Sequence, residues 1–200
     1  MKEIEYLSPS SVSVWRKDQE AFYLQYMAMD RPPKIPQNAA MAVGSAFDAY
    51  SKSYLYQALF GHSGENNLYD LDVLFEKQVE AHNRTEARKA GGYVFECYRS
   101  SGALADLMIE LNKSLDTPRF EFELKRKIMD GIVLLGKPDV IFTNQEGVKI
   151  ILDWKVESHE WARGLPGVRY VTQTEDIHDV CVQIGEEVEA RKAMPKEQRD

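Results

Sequence analysis

Two aspartates and a lysine in the C-terminal half have the residue types and spacing that metal-assisted hydrolysis of a phosphodiester requires. Asp139 directly precedes the apolar segment 140–142, and Asp153 and Lys155 lie within the β-rich segment 149–156, KIILDWKV. Side chains alternate between the two faces of a strand, so Asp153 and Lys155, two residues apart, project from the same face. We therefore take these three side chains as one candidate catalytic group.

The turn between the two segments decides whether the aspartates meet. If the segments pair as a hairpin about residues 144–147, Asp139 lies opposite residue 152 or residue 153, for a loop of four or five residues respectively. In the second case Asp139 and Asp153 are cross-strand neighbours, and like charges that face each other on a sheet are destabilising. A divalent cation offsets this repulsion, and oxygen ligands suit magnesium or manganese.

A lysine beside two carboxylates stays protonated and is able to orient a water molecule or help to deprotonate it. Two acids, one lysine and a metal ion are the minimum set for in-line attack of water on a phosphodiester. The alternative is that Asp139 is a turn residue and that Asp153 and Lys155 form a solvated pair at a sheet edge. We favour the functional interpretation because charged residues within an apolar strand are usually paired or functional.

Composition limits the possible functions. The chain has 200 residues, enough for one domain, and its 25 basic and 32 acidic residues give a formal net charge of −7. This balance argues against histone-like binding of nucleic acid by charge alone but leaves open an enzyme that meets phosphates through metal ions. Two distant cysteines and four histidines without ligand spacing argue against zinc. No apolar run or leader points to a membrane, so we expect a reduced, cytoplasmic protein.

Periodicity predicts helices first and strands later. The helices are expected from Ser8-Pro9 to about residue 31, over 43–58, from about 68 to a break at Gly91-Gly92, over 104–115 and over 177–188. The strands are expected at 120–124, 132–135, 140–142 and 149–156. We predict an α/β (α+β) protein with a single domain over residues 1–200. Residues 1–117 form its mainly helical lobe, and residues 118–200 form a sheet and the final helix.

These segments resemble a known family. Gly136-Lys137-Pro138-Asp139 followed by Ile151-Leu152-Asp153-Trp154-Lys155 resembles the core motif of the PD-(D/E)XK nucleases, in the RecB-like exonuclease branch. Residues 8–23 resemble the opening helix of that branch, and residues 42–48 resemble its G-x-x-x-H motif. The resemblance implies a restriction-endonuclease-like core, in which a small mixed sheet is flanked by helices and an N-terminal helical lobe.

The resemblance also implies roles for individual residues. Asp139, Asp153 and the main-chain carbonyl of Trp154 would bind Mg²⁺ or Mn²⁺, and Lys155 would be the catalytic lysine. Asp48 stands where the family has its histidine. It is either a further metal ligand or an acid on the helix surface.

Two other family features match only in part. Gln183 corresponds to the glutamine of the Q-x-x-x-Y motif, with Glu187 in the place of the tyrosine, and Gln173 is a competing candidate. Asp18-Gln19 stands where some relatives place the first cysteine of an iron–sulfur cluster, so no cluster is expected.

We therefore expect a Mg²⁺- or Mn²⁺-dependent deoxyribonuclease of phage type, more specifically an exonuclease, acting in DNA recombination, repair or replication. DNA is the expected partner, together with a recombination or annealing protein, and the oligomeric state is open. The alternative is an inactive relative that binds nucleic acid or protein as a scaffold. Six basic residues are candidate DNA contacts, although such clusters are most often solvated faces: Lys125, Arg126, Lys127, Arg84, Arg88 and Lys89.

Overall fold

A computed structural model of the chain describes residues 2–61, 68–156 and 174–194. Seven α-helices and five strands are found in this part of the chain. In chain order they are α1 (Pro9–Lys17), α2 (Gln19–Phe22), α3 (Ala39–Phe60), α4 (Leu71–Gln78), α5 (Arg84–Ser100), α6 (Ala103–Asn112), β1 (Arg119–Phe120), β2 (Leu124–Met129), β3 (Ile132–Gly136), β4 (Val140–Thr143), β5 (Lys149–Leu152) and α7 (Thr174–Ala193). The protein thus combines helices with small antiparallel sheets, as an α+β fold does.

The first predicted helix begins where expected but is interrupted. Ser8 caps α1 in a capping box with Ser11, and Pro9 occupies the first turn. The backbone then becomes extended at Asp18, whose side chain accepts a hydrogen bond from Ala21 N at 2.9 Å and so caps α2. A π-helical turn ends this region at Met27. The uninterrupted helix to residue 31 was therefore a wrong prediction, because Asp18 acts as a cap within it.

The third predicted helix breaks at a different place from the one expected. α4 ends at Gln78, a short 3₁₀ turn spans Ala81–Asn83, and α5 runs without a break through Gly91-Gly92. Gly91 serves close packing: a Cβ atom there would lie 2.5 Å from Ala46 Cβ of α3. The glycine pair was wrongly predicted to break the helix, since it lets α5 approach α3.

The strands form two antiparallel arrangements within the described residues. β1, β4 and β5 form a three-stranded sheet in the order β1-β4-β5, and β2 pairs with β3 alone. The predicted mixed sheet is therefore not observed there; the single parallel pairing is an isolated bridge between Leu7 and Leu134. The predicted strand over 120–124 is also interrupted, because the chain turns at Glu121, where φ is +47°.

The β4–β5 hairpin has the longer of the two loops considered from sequence. Its register pairs Thr143 with Lys149 and Val140 with Leu152, which leaves five residues in the loop. Asn144 closes this loop, since its main-chain N–H donates to Val148 O at 2.9 Å and its side-chain oxygen accepts from Val148 N at 2.8 Å. Continued by one residue beyond Val140 and Leu152, the register places Asp139 opposite Asp153.

The chain divides into two compact units. Their boundaries differ from those of the predicted lobes, residues 1–117 and 118–200. The first comprises the described parts of residues 1–34, 123–137 and 166–200, and the second those of 35–122 and 138–165. The core of the first unit contains Leu7, Val12, Trp15, Phe22, Met27, Ile132, Ile184 and Val188. The second has an aromatic-rich core of Phe47, Leu55, Phe95, Leu104, Leu111, Phe120, Val140 and Phe142, and a smaller one where α3 packs on α4 and α5.

Candidate functional site

Helix α3 carries two charged residues of the second unit on successive turns. Asn38 begins this helix by accepting a hydrogen bond from Met41 N at 2.9 Å. Asp48 and Lys52 follow four residues apart, so their side chains lie on one face of α3. Lys52 Nζ lies 2.8 Å from Asp48 Oδ2, and only 4% of the Lys52 side chain is exposed. A cation this deeply buried requires compensating negative charge.

Three carboxylates supply that compensation, and we call Lys52 with these acids the carboxylate cluster. Besides Asp48, Lys52 Nζ contacts Glu121 Oε1 at 3.0 Å and Asp139 Oδ1 at 2.8 Å. Burial lowers the pKa of Lys52, but the charges of Asp48 and Asp139 and their hydrogen bonds outweigh burial and raise that pKa above 10.5. Lys52 is therefore a charged ammonium at neutral pH, and it joins α3 to the start of β4.

Both carboxylate oxygens of Asp139 are held. Oδ1 contacts Lys52, and Oδ2 accepts a hydrogen bond from the main-chain N–H of Trp154 at 2.8 Å. The second contact comes from the chain just after β5, on the other side of the hairpin. The Asp139 carboxylate thus has a fixed orientation relative to both α3 and the segment that contains Asp153.

Glu121 enters the carboxylate cluster through an unusual backbone conformation. Its φ of +47° lies in the left-handed region, which is uncommon for a residue other than glycine. The turn lets Glu121 N donate to Asp139 O at 3.1 Å while its carboxylate reaches Lys52. Left-handed conformations at non-glycine residues are retained where the surroundings require them, and many occur at functional sites.

Asp153 and Lys155 pair with each other immediately after β5. Asp153 Oδ2 lies 2.5 Å from Lys155 Nζ, and the exposed fractions of the two side chains are 46% and 70%. The structure therefore brings the predicted residues together in two groups. Asp48 and Asp139 meet at Lys52, whereas Asp153 is paired with Lys155 in an exposed position.

A hydrogen-bond network that includes Gln78 and Gln37 also orients the Asp48 carboxylate. Gln78, the last residue of α4, donates from Nε2 to Asp48 Oδ2 at 2.8 Å. Gln37 supports this arrangement by donating from its own Nε2 to Gln78 O at 3.1 Å and to Ser45 Oγ at 3.0 Å. Gln37 also exchanges two hydrogen bonds with Glu80, each 3.0 Å long. The Asp48 carboxylate is consequently oriented by α4 as well as by Lys52.

The donor set of the cluster suits a hard divalent cation in its chemistry. Carboxylate oxygens are the ligands that magnesium and manganese prefer, and Asp48 and Asp139 already place such oxygens around one positive charge. The charge they surround is the Lys52 ammonium. Among the described residues, no group of three or more acids, histidines or cysteines has the arrangement of a metal site. A metal ion that binds Asp48 and Asp139 would therefore share these two ligands with Lys52.

Three residues of this arrangement were not predicted from the sequence: Lys52, Glu121 and Gln78. Lys52 follows Asp48 at helical spacing, and this i,i+4 pair of opposite charges was a usable signal. Glu121 carried no signal, because it occupies a polar position in an alternating stretch that reads as a strand. Gln78 carried none either, since its contact with Asp48 joins two different helices.

The predicted glutamine lies elsewhere. Gln183 is exposed on α7, in the first unit, whereas Asp139 belongs to the second. The competing Gln173 lies outside the described residues. The catalytic role of either glutamine remains a prediction.

Most of the predicted DNA contacts already have partners on their own surface. Arg88 pairs with Asp72 and Lys89 with Glu86, and Arg84 donates to the carbonyl oxygens of Val79 and Glu76 at 3.1 and 3.0 Å. In the first unit Lys125 pairs with Glu123 and Lys127 with Asp130, and Arg126 is exposed. Such exposed pairs are weak, so phosphate groups are able to replace the acids.

Comparison with known proteins leaves the family assignment as a prediction. No model of a protein family, no curated protein and no solved structure matches this chain. The resemblance to PD-(D/E)XK nucleases therefore depends on the quoted motifs alone. None of the described helices has the length and apolar character needed to cross a membrane.

Proposed function

We propose that this protein is a metal-dependent nuclease that hydrolyses phosphodiester bonds of DNA, and that it acts as an exonuclease. The observation that supports the proposal is the β4–β5 hairpin: its register, continued by one residue beyond Val140 and Leu152, places Asp139 opposite Asp153, and Trp154 N–H donates to the Asp139 carboxylate. Asp48 of α3 reaches the same carboxylate cluster. The helix and the hairpin thus supply two acids held at Lys52, and the hairpin supplies a third acid, Asp153, paired with Lys155.

In this proposal each group has a separate task. Asp48, Asp139, Asp153 and the carbonyl of Trp154 would bind Mg²⁺ or Mn²⁺, which when bound supplies charge stabilisation at the phosphate and lowers the pKa of water. Lys155, paired with Asp153, would orient the attacking water and neutralise charge at the phosphate. The network of Gln78 and Gln37 would keep the Asp48 carboxylate aligned.

The proposed partner is DNA, encountered in the cytoplasm during recombination, repair or replication. Because the net charge is −7, DNA would be held by the local basic residues and by the metal ion and not by an overall positive field. Contacts of this kind fix the position of the DNA backbone without reading its sequence.

A second candidate function is an inactive relative that binds DNA or a partner protein as a scaffold. The observation in its favour is Lys52: its ammonium contacts all three acids of the carboxylate cluster and holds them together without any metal ion. A cluster that is structurally complete in this way needs no catalytic metal to remain folded.

Cleavage of linear DNA labelled at either the 5′ or the 3′ end, with Mg²⁺ or Mn²⁺, separates the two functions. The nuclease proposal expects cleavage by the wild type and loss of cleavage in Asp153→Ala and Lys155→Ala. The exposed residues Asp106 and Lys113 provide matched controls, Asp106→Ala and Lys113→Ala, that should cut normally. A closed circular substrate that remains intact identifies an exonuclease. A wild-type protein that binds DNA and cuts it with neither ion supports the scaffold.

A further inference from the structure

The Lys52 ammonium occupies the position of a cation within the carboxylate cluster. It lies 2.8–3.0 Å from one oxygen each of Asp48, Glu121 and Asp139. Three carboxylates and one ammonium give the cluster a formal charge of −2, so the acids outnumber the cation that holds them. Lys52 alone therefore does not balance the charge of the three acids.

A second observation concerns the side-chain oxygen of Gln78, the residue that donates to Asp48. Gln78 donates from its amide nitrogen to Asp48, and its side-chain oxygen Oε1 is buried without a hydrogen-bond partner. A buried acceptor without a partner is rare and calls for an explanation, because it loses its interaction with water. A hydrated cation at the Asp48 carboxylate would place donors close to this oxygen.

The three acids differ in their relation to the proposed nuclease site. Asp48 and Asp139 are proposed metal ligands, whereas Glu121 is not one of them. The lysine side chain has four methylene groups and rotates readily. Lys52 is thus able to release Asp48 and Asp139 while it keeps its contact with Glu121.

We propose that Lys52 is a positioning residue that competes with a divalent cation for Asp48 and Asp139, with Glu121 retaining the lysine when the cation binds. This inference rests on the proposed function, because that function identifies the two aspartates as metal ligands. Lys52 thereby sets the metal affinity of the site. It also keeps the acids together in the absence of metal, so that the site is assembled before the metal arrives.

Mn²⁺ binding without DNA tests this inference, measured by the electron paramagnetic resonance signal of free Mn²⁺. Lys52→Met removes the charge and keeps the length of the side chain. We expect its Mn²⁺ affinity to exceed that of the wild type by about fivefold or more, the lower end of typical coupling between two ligands. Lys77→Met, at an exposed position of α4, is the matched control and should bind like the wild type.

The double variant Lys52→Met/Glu121→Gln removes one charge of each sign. Its cluster keeps the formal charge of −2, so a gain in Mn²⁺ affinity reflects removal of the competing ammonium and not a stronger negative field. Lys52→Met alone leaves three carboxylates close together without their lysine, which opposes folding. The double variant leaves only two. A folded double variant that binds Mn²⁺ no more tightly than the wild type overturns the inference.

The wild-type protein gives an independent result. During titration with Mg²⁺, the NMR signals of the Lys52 ε-methylene group should shift in proportion to the bound ion. Signals that stay constant while Mg²⁺ binds contradict the competition. These binding results are independent of cleavage: a wild type that cuts DNA beside a Lys52→Met variant without a gain in affinity refutes only this inference. A gain in affinity in a protein that never cuts DNA refutes only the nuclease proposal.

Discussion

The main-chain N–H of Trp154 donates a hydrogen bond to Asp139 Oδ2 at 2.8 Å, just beyond Val140 and Leu152, the last paired residues of the β4–β5 hairpin. In this bond the Asp139 side chain, directly before β4, accepts from the main chain directly after β5. It therefore joins the two segments beyond the last main-chain pair of the hairpin. Because the opposite oxygen of Asp139 contacts Lys52, the carboxylate is held from two sides. The hairpin therefore presents Asp139 in one orientation, beside the segment that carries Asp153 and Lys155.

Asp139→Asn should weaken both the fold and the proposed activity. Asparagine still accepts the hydrogen bond from Trp154 N, but it no longer carries the charge that Lys52 contacts. We expect the free energy of unfolding to fall by about 1.5–3 kcal/mol, the range for a hydrogen bond to a charged group. Urea denaturation measures this change, with Asp106→Asn as an exposed control. Unchanged stability would show that Asp48 and Glu121 alone suffice for Lys52.

Two glycines should respond to alanine in opposite ways. At Gly91 the new Cβ would lie 2.5 Å from Ala46 Cβ and 3.0 Å from Phe47 N, so Gly91→Ala should destabilise the second unit by about 1–3 kcal/mol. At Gly44, in α3, the new Cβ has no neighbour within 4 Å. Gly44→Ala should therefore stabilise the helix by about 0.5–1 kcal/mol.

Thermal unfolding of both glycine variants measures these effects. If Gly44→Ala is as stable as expected but impairs DNA cleavage, Gly44 serves the approach of a substrate. Equal stability of the two variants would contradict the close packing of α5 on α3.

Asp116 gives the protein a defined dependence on acid. Thr143 donates to the Asp116 carboxylate from its hydroxyl and from its main-chain N–H, both at 2.8 Å, and these bonds lower the pKa of Asp116 below 3.8. A carboxyl whose pKa is lowered by folding stabilises the protein above its unfolded pKa, and this contribution is lost as the pH falls through the folded pKa.

NMR titration of the Asp116 carboxyl carbon should therefore give a midpoint below that of an unfolded peptide. In the variant Thr143→Val, which lacks the hydroxyl, the midpoint should move upward. A wild-type midpoint at or above the ordinary value would contradict the two hydrogen bonds.

DNA binding without metal should be weak and strongly dependent on salt. The net charge is −7, so binding relies on local basic residues such as Lys125, Arg126 and Lys127. Fluorescence anisotropy at increasing salt measures the slope of log affinity against log salt. Each phosphate contact contributes about 0.7 to 0.9 to this slope, so replacing these three residues by alanine should reduce it by up to about 2–3. Tight, salt-insensitive binding without metal would contradict the proposed role of the ion.

The local features of the fold were predictable from the sequence, whereas the contacts between distant segments were not. The cap at Ser8 and the five-residue loop of the hairpin follow from short-range patterns, and both occur in the structure. The i,i+4 pair of Asp48 and Lys52 was a local signal, but the contacts of Lys52 with Glu121 and Asp139 join segments that are distant in the chain. The left-handed turn at Glu121 has no glycine or asparagine to mark it.

Helix boundaries show the same limit. Gly91 has the residue type of a helix break, but its environment gives it the role of a packing contact with Ala46. Which role a glycine takes depends on the neighbouring helix and not on the local sequence. The protein's strand order was likewise not predictable, because the pairing of β1 with β4 skips two intervening strands.

The central claim is that Asp153 and Lys155 form part of a metal-dependent nuclease site. Its most direct test is the initial rate of nucleotide release from linear duplex DNA, measured with Mg²⁺, with Mn²⁺ and with a chelator. The account predicts release by the wild type with a metal ion, no release with the chelator, and a rate about 100-fold or more lower for Lys155→Ala. Undiminished release by Lys155→Ala, or a wild type that binds this DNA and releases nothing with either ion, would contradict it.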